Sequence, residues 1–290
     1  MLVISALISG LGLGSMYGLL ALGFHITYSV SGTVNFAQGS SMMLGAVFAY
    51  AFAVTLGWPL VPAAAMALAL CAVYGAVVEL VAVRPFARRG SNAWLMATVA
   101  LGIIADNAVL FTFGKEPRGF PMPGTAAAFQ LAGVGVSPLQ LLIPAIGIGF
   151  AGLLHLFSRR TRLGAALLAV VQNPDAARLM GINVPLAISA AFAVSTVFAG
   201  AAGILIAPLF NVHSDMGTLF GLKAFAVAIL GGMTSAWGVM IAGLLFGATE
   251  ALITALLGSG YTQILTFALV IVALALMPNG LFGRADVKKV

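Results

Sequence analysis

Between Met1 and Val78 the chain contains no Asp, Glu, Lys or Arg. A soluble fold cannot cover so long a segment without charge. A bilayer can, and its hydrocarbon core of about 30 Å takes about 20 apolar residues per helical crossing, so this stretch holds about three spans. The remainder continues in the same way: the 290 residues are 62% hydrophobic and 7% charged, against about 25% charged in soluble domains. A soluble protein is thereby excluded. The net charge of +6 does not indicate nucleic acid, because the basic residues sit in short connectors rather than along one face.

Apolar run length, with breaks at Gly, Pro or charge, predicts spans at about 2–30, 34–56, 60–82, 92–113, 138–157, 185–207, 219–233, 236–257 and 261–278. The first run exceeds one crossing and the run at 219–233 is shorter than one. The expectation is an all-α polytopic membrane protein of eight or nine crossings, with a short or re-entrant segment near 219–233 and a single transmembrane domain over 1–290. Lys and Arg in short loops prefer the cytoplasm. Arg84, Arg88 and Arg89 form one cluster, Arg159, Arg160, Arg162 and Arg178 a second, and Arg284, Lys288 and Lys289 a third. All three fall on one side with nine crossings, which places the N-terminus outside, the C-terminus and the 159–184 loop inside, and the 114–137 loop outside. In that outer loop Lys115, Glu116 and Arg118 nearly balance, and Pro117, Pro121 and Pro123 dictate turns. Met1 to Ser9 lacks the basic segment of a cleaved signal, so the first helix reads as retained.

Thirty-five Gly residues bear on packing. Gly10, Gly14 and Gly18 recur every four residues, and small residues let helix backbones approach closely in lipid. Cys71, the one cysteine, lies mid-span and reads as a packing residue. His25, His155 and His213 lack the paired spacing of a zinc site. No Gly-x-Ser-x-Gly elbow and no Gly-x-x-x-x-Gly-Lys-Ser/Thr loop occurs, so neither hydrolysis nor nucleotide binding is expected of this chain. No cofactor or metal is expected, and any ATP that drives it belongs to a partner.

Gln172 to Asn183 reads as a complete short helix inside the cytoplasmic loop. Asn173 suits the N-cap, Pro174 the first helical position, and Asp175 the positive helix end, while Gly181 stops it. Ala176, Leu179 and Met180 fall at i, i+3 and i+4, with Arg178 beside them, and make an apolar face on a helix too short to persist alone. Such a face packs on the protein's own inner surface, inserts into a cytoplasmic partner, or lies on lipid headgroups.

The segments Gly10-Leu-Gly-Leu-Gly-Ser-Met-Tyr-Gly-Leu-Leu-Ala-Leu-Gly23, Val34-Asn-Phe-Ala-Gln-Gly39 and Met43-Leu-Gly-Ala46 resemble the start of the Liv-type permeases. These are the membrane subunits of high-affinity branched-chain amino acid ABC importers, and the chain is most similar to the H-type subunit. Pro117-Arg-Gly-Phe-Pro121, Arg162-Leu-Gly164, Ala176 to Asn183, Gly221-Leu-Lys-Ala-Phe225, Leu230-Gly-Gly232 and Pro278-Asn-Gly-Leu-Phe-Gly283 continue the resemblance in order along essentially the whole chain. The resemblance implies a second permease subunit, two cytoplasmic ATPase subunits and a periplasmic substrate-binding protein as partners. It also implies that Asn173 to Gly181 is the coupling helix, with Leu179 and Met180 as apolar anchors.

Candidate pathway residues are Asn35, Phe36, Gln38, Gly39 and Lys223. Asn35 and Gln38 begin a helix in a charge-free region, where polar side chains are costly unless they pair or line water. Asn35 is either an N-cap or, with Phe36 and Gln38, part of a helix start whose N–H groups favour a substrate carboxylate. Many Liv-type relatives carry His at Gln38, which argues against obligatory proton transfer here. Lys223 either snorkels to the outer interface or meets a carboxylate, with Asp215 as a possible ion-pair partner. Glu79 is expected near Arg84, and Asp106, Asn107 and Glu250 toward the bundle interior. The function implied is import of branched-chain or related amino acids. Urea, short amides or aromatic acids are the alternative cargoes, and an ion-coupled transporter using Asp106, Glu250 and Lys223 is the competing class.

Overall fold

Inside a bilayer only hydrogen bonds within a segment satisfy the backbone, so long apolar runs must become helices. A computed structural model describes residues 2–121, 129–131, 134–277 and 280–283. Helix α1 (Leu2–Ser31) is followed by α2 (Gln38–Tyr50), whose last turn widens into a π-helical stretch, Ala51–Thr55. Next come α3 (Leu60–Val78), a second π-helical stretch (Glu79–Val83), α4 (Arg84–Ala87) and α5 (Trp94–Phe113). Two short strands, β1 (Phe129–Leu131) and β2 (Val134–Val136), precede α6 (Pro138–Arg160), α7 (Arg162–Gln172) and α8 (Pro174–Leu179). Four helices complete the fold: α9 (Val184–Phe210), α10 (Met216–Gly231), α11 (Ala236–Leu257) and α12 (Ser259–Leu276).

All nine expected segments are helical. Seven are long and apolar enough to cross a membrane, among them the continuous Leu60–Ala87. The two shorter ones are α2 with its π turn and α10. At 16 residues α10 reaches about 24 Å at 1.5 Å per residue, which matches the short segment expected near 219–233. The π turn at 79–83 has a local cause: Pro85 has no N–H to give, and the ladder shifts so that Arg84 N–H reaches the Glu79 carbonyl.

Three features depart from the sequence reading. Residues 33–37 are not helical, so α2 begins at Gln38 rather than near 34. The 114–137 loop carries the antiparallel pair β1–β2, with Phe129 opposite Val136 and Leu131 opposite Val134, a local exception in a helical fold. The 159–184 loop holds two helices instead of one: the Thr161 side chain accepts the Gly164 N–H and starts α7 ahead of α8. Pro123, Pro278, Asn279, Arg284, Lys288 and Lys289 lie outside the described residues.

The chain divides into two compact units. One comprises Met1–His25, Pro123–Ala151 and Lys223–Val290. In it the first helix meets α11 through glycine on both sides. A Cβ on Gly10 would lie 2.8 Å from the Ala248 Cα, one on Gly14 2.6 Å from the Gly243 carbonyl, and Gly247 faces Gly14 in return. Four-residue glycine spacing thus serves close helix contact, as expected from the sequence. Tyr17 and Phe246 meet edge to face at 5.4 Å beside that seam.

The other unit comprises Ile26–Met122 and Gly152–Leu222. Here α2 packs against α3 and α9, with Gly203 against the Met42 carbonyl, Gly45 against Gly200 and Gly75 against Phe192. Cys71 is fully buried, its sulfur 2.7 Å from where a Cβ on Gly200 would sit, in keeping with a packing role. Gly203→Val would drive a branched side chain into the Met42 backbone. Detergent-extracted Gly203→Val is expected to accumulate at a tenth or less of the wild-type level. Gly149→Ala, with nothing within 4 Å, is expected to stay within twofold. Fluorescence size-exclusion profiles of the two variants compare them directly.

Candidate functional site

Helix α8 is built as the sequence reading anticipates. The Asn173 side chain accepts the N–H groups of Asp175 at 3.1 Å and Ala176 at 3.0 Å, Pro174 fills the first position, and Arg178 pairs with Asp175 at 3.0 Å. Gly181 ends it with φ of +82°, a left-handed value that a side chain would strain. The face turned inward, however, is a different one. Ala177 is the buried residue, packed with Val170 of α7 and Val184 of α9, while Ala176 is exposed. Leu179 and Met180 are 90% and 83% exposed. The helix is therefore anchored to its own chain through one small residue and presents its two large apolar side chains outward.

Asn35 and Gln38 occupy the packed interior of the second unit, both fully buried. The Asn35 Oδ1 accepts the Ala37 N–H at 3.0 Å and its backbone carbonyl accepts the Gln38 N–H at 3.2 Å. Asn35 thus closes a turn three residues before α2 instead of capping the helix. Gln38 donates to the Ser195 carbonyl and accepts from the Ser195 hydroxyl, both at 3.0 Å. The Phe36 N–H meets the Thr98 hydroxyl at 3.4 Å. The polar groups of 35–38 stitch a non-helical segment to α5 and α9, which is how such a segment survives at membrane depth. Gly39 serves a second purpose. It lies against Gly217 and Gly221, bringing the starts of α2 and α10 into backbone contact.

Four ionisable side chains within the spans form two pairs. Arg84 grips Glu79 with two nitrogens, at 2.9 and 2.7 Å, and also donates to the Ser189 hydroxyl at 2.6 Å. The expected Glu79–Arg84 neighbourhood is present. Lys223 does not snorkel outward but meets a carboxylate, that of Glu250 rather than of Asp215. It is 4% exposed, its Nζ meets Glu250 Oε1 at 2.5 Å, and it sits 5.8 Å from the Tyr17 ring. Asp215 instead lies 3.4 Å from His213. Glu250 is interior, as expected, whereas Asn107 is exposed and bonds back to the Ile103 carbonyl on its own helix at 2.8 Å.

Sequence reasoning missed Tyr17, Ser189, Ser195 and Glu250 as partners. Only Glu250 carried a usable signal: Lys223 and Glu250 are opposite charges inside neighbouring apolar segments, where each needs the other. A helical bundle with paired intramembrane charges, and with a capped helix displaying apolar side chains from a basic loop, defines a polytopic membrane protein of the transport class. The chain belongs to the branched-chain amino acid transport system permease component family, whose model matches residues 6–274. It is 32% identical over 298 residues to the high-affinity branched-chain amino acid transport system permease protein LivH of Escherichia coli K12, spanning 97% of this chain and 96% of that one. BraD of Pseudomonas aeruginosa, described in the same words, is 33% identical over 300 residues, with 98% and 97% covered. Among solved structures, PsaBC from Streptococcus pneumoniae in complex with Fab matches with a TM-score of 0.50 at 15% identity, covering 93% of this chain and 89% of that one, which speaks to the fold alone.

Proposed function

We propose that this chain is the permease subunit of an ATP-driven importer and carries branched-chain or related amino acids across the bacterial inner membrane. Family membership over nearly the full length supports the cargo class, and the names of LivH and BraD favour it over urea, amides or aromatic acids. The observation that carries the ATP-driven reading is the exposed Leu179–Met180 pair on a helix pinned by Ala177. Burying two such side chains in a partner's groove is worth about 1.5–3 kcal/mol each. The partner is a cytoplasmic ATPase subunit, present twice. A second permease, the same chain or a different one, completes the pathway, and a periplasmic binding protein delivers substrate. ATP is bound by the ATPase chains, and the C-terminus lies in the cytoplasm. Closure of the ATPase pair moves α8 and, through Val170 and Val184, the helices on either side of it.

Reconstitution tests this directly. Proteoliposomes containing the permease pair, its ATPase subunits and a leucine-loaded binding protein are expected to accumulate leucine, isoleucine or valine only with ATP inside. Uptake that ignores ATP and follows an imposed ion gradient would establish ion-coupled transport instead.

A further inference from the structure

Three acids lie within the spans, and two have a base. Glu79 holds Arg84 and Glu250 holds Lys223. Asp106 holds none. It stands on α5 about 18 Å from that helix's start, at mid-span depth. Its neighbours are the hydroxyls of Ser40 on α2 and Thr218 on α10, and the charged group that acts on it among the described residues is Asp215, of its own sign. Tyr74 faces it as well, but its hydroxyl donates to the Leu101 carbonyl at 3.3 Å. Asp106 Oδ1 is buried with no hydrogen-bond partner.

Close packing fixes the groups around Asp106. Gly39 and Gly217 touch, which sets Ser40 and Thr218 on the two helices flanking Asp106. A Cβ on Gly102 would come within 3.0 Å of the Ser40 hydroxyl. A charged, unpaired carboxylate at the bilayer centre costs about 2.5–3.5 kcal/mol, and the other two acids avoid that cost with a resident cation. The structure therefore points to a visiting one. We propose that Asp106 receives the ammonium group of the amino acid in transit, with Ser40 and Thr218 orienting the carboxylate; this rests on the transport reading above. A primary ammonium offers three N–H donors, one of which suits Oδ1.

The test uses the reconstituted importer and two cargoes, leucine and its 2-hydroxy acid analogue, which keeps the carboxylate and side chain but lacks the cation. The wild type is expected to prefer leucine. Asp106→Asn, nearly isosteric and uncharged, is expected to lower leucine uptake about 10- to 100-fold while leaving hydroxy-acid uptake and ATPase copurification unchanged, so the preference collapses. Asp106→Glu keeps the charge and should keep the preference even where the rate falls. That variant is the readout if Asp106→Asn fails to accumulate. Equal losses for both cargoes, wild-type leucine uptake in Asp106→Asn, or a lost preference in Asp106→Glu would each overturn the assignment. So would a sodium requirement in the wild type, tested by N-methylglucamine replacement, that disappears in Asp106→Asn, since the cation would then be inorganic. If the wild type imports no amino acid under any condition, the transport reading falls first and takes this one with it.

Discussion

Leu179→Asp is expected to leave the permease inserted and stable while reducing copurified ATPase subunits at least tenfold, with uptake lost in proportion. The side chain is 90% exposed, so the substitution removes no packing within the chain. What it does is place a charge in whatever apolar groove receives α8. Burying an unpaired carboxylate costs several kcal/mol, enough to outweigh the gain from one buried leucine. Met180→Ser should give a milder version of the same loss. Quantitative pull-down from membranes, normalised to extracted permease, reads both. Unchanged copurification with unchanged uptake in Leu179→Asp would remove α8 as the docking element, and the family resemblance would then have misplaced it.

Lys223→Met is expected to destabilise the fold by about 3–5 kcal/mol, because it strands Glu250 in a buried site without its cation. On the sequence reading of Lys223 as a pathway residue, the same change would cost uptake more than expression. The buried pair reverses that order. The double variant Lys223→Met with Glu250→Gln is expected to recover most of the lost stability, since no charge is left behind. Thermal unfolding in detergent, run as a double-mutant cycle over the two single variants and the pair, gives the coupling. Near-additive losses would show that the two side chains act separately. A double variant that is stable but inactive would assign the pair to the transport cycle.

Much of the architecture was legible because bilayers impose strict rules. The charge-free stretch to Val78, run length and glycine breaks located nine long apolar segments that are helical, and helix-end chemistry located α8 between Asn173 and Gly181. The Gly10, Gly14, Gly18 stripe announced close packing before its partner, α11, was known. Other features were hidden for identifiable reasons. Ala177, not Ala176, faces inward because a six-residue helix takes its orientation from what it packs on, here Val170 and Val184. The hairpin β1–β2 rests on backbone pairing that no periodicity over three residues can reveal. Asn35 looked like a helix cap because polar residues at a helix start usually are, yet it closes a turn that only makes sense once Thr98 and Ser195 are in place.

The amino-acid sequence by itself determined that this chain lives in a membrane, where its helices run, and which loop carries a capped helix. Those follow from solvation and local backbone chemistry, which act within a few residues. Which charge meets which was decided by the tertiary structure. Glu79 and Arg84 are five residues apart, but Lys223 and Glu250 join α10 to α11, and Asp106 on α5 faces hydroxyls from α2 and α10. Pairing depends on distances across the bundle, and in a medium of low dielectric those distances determine whether an ionisable group is a structural tie or an open seat for a cation.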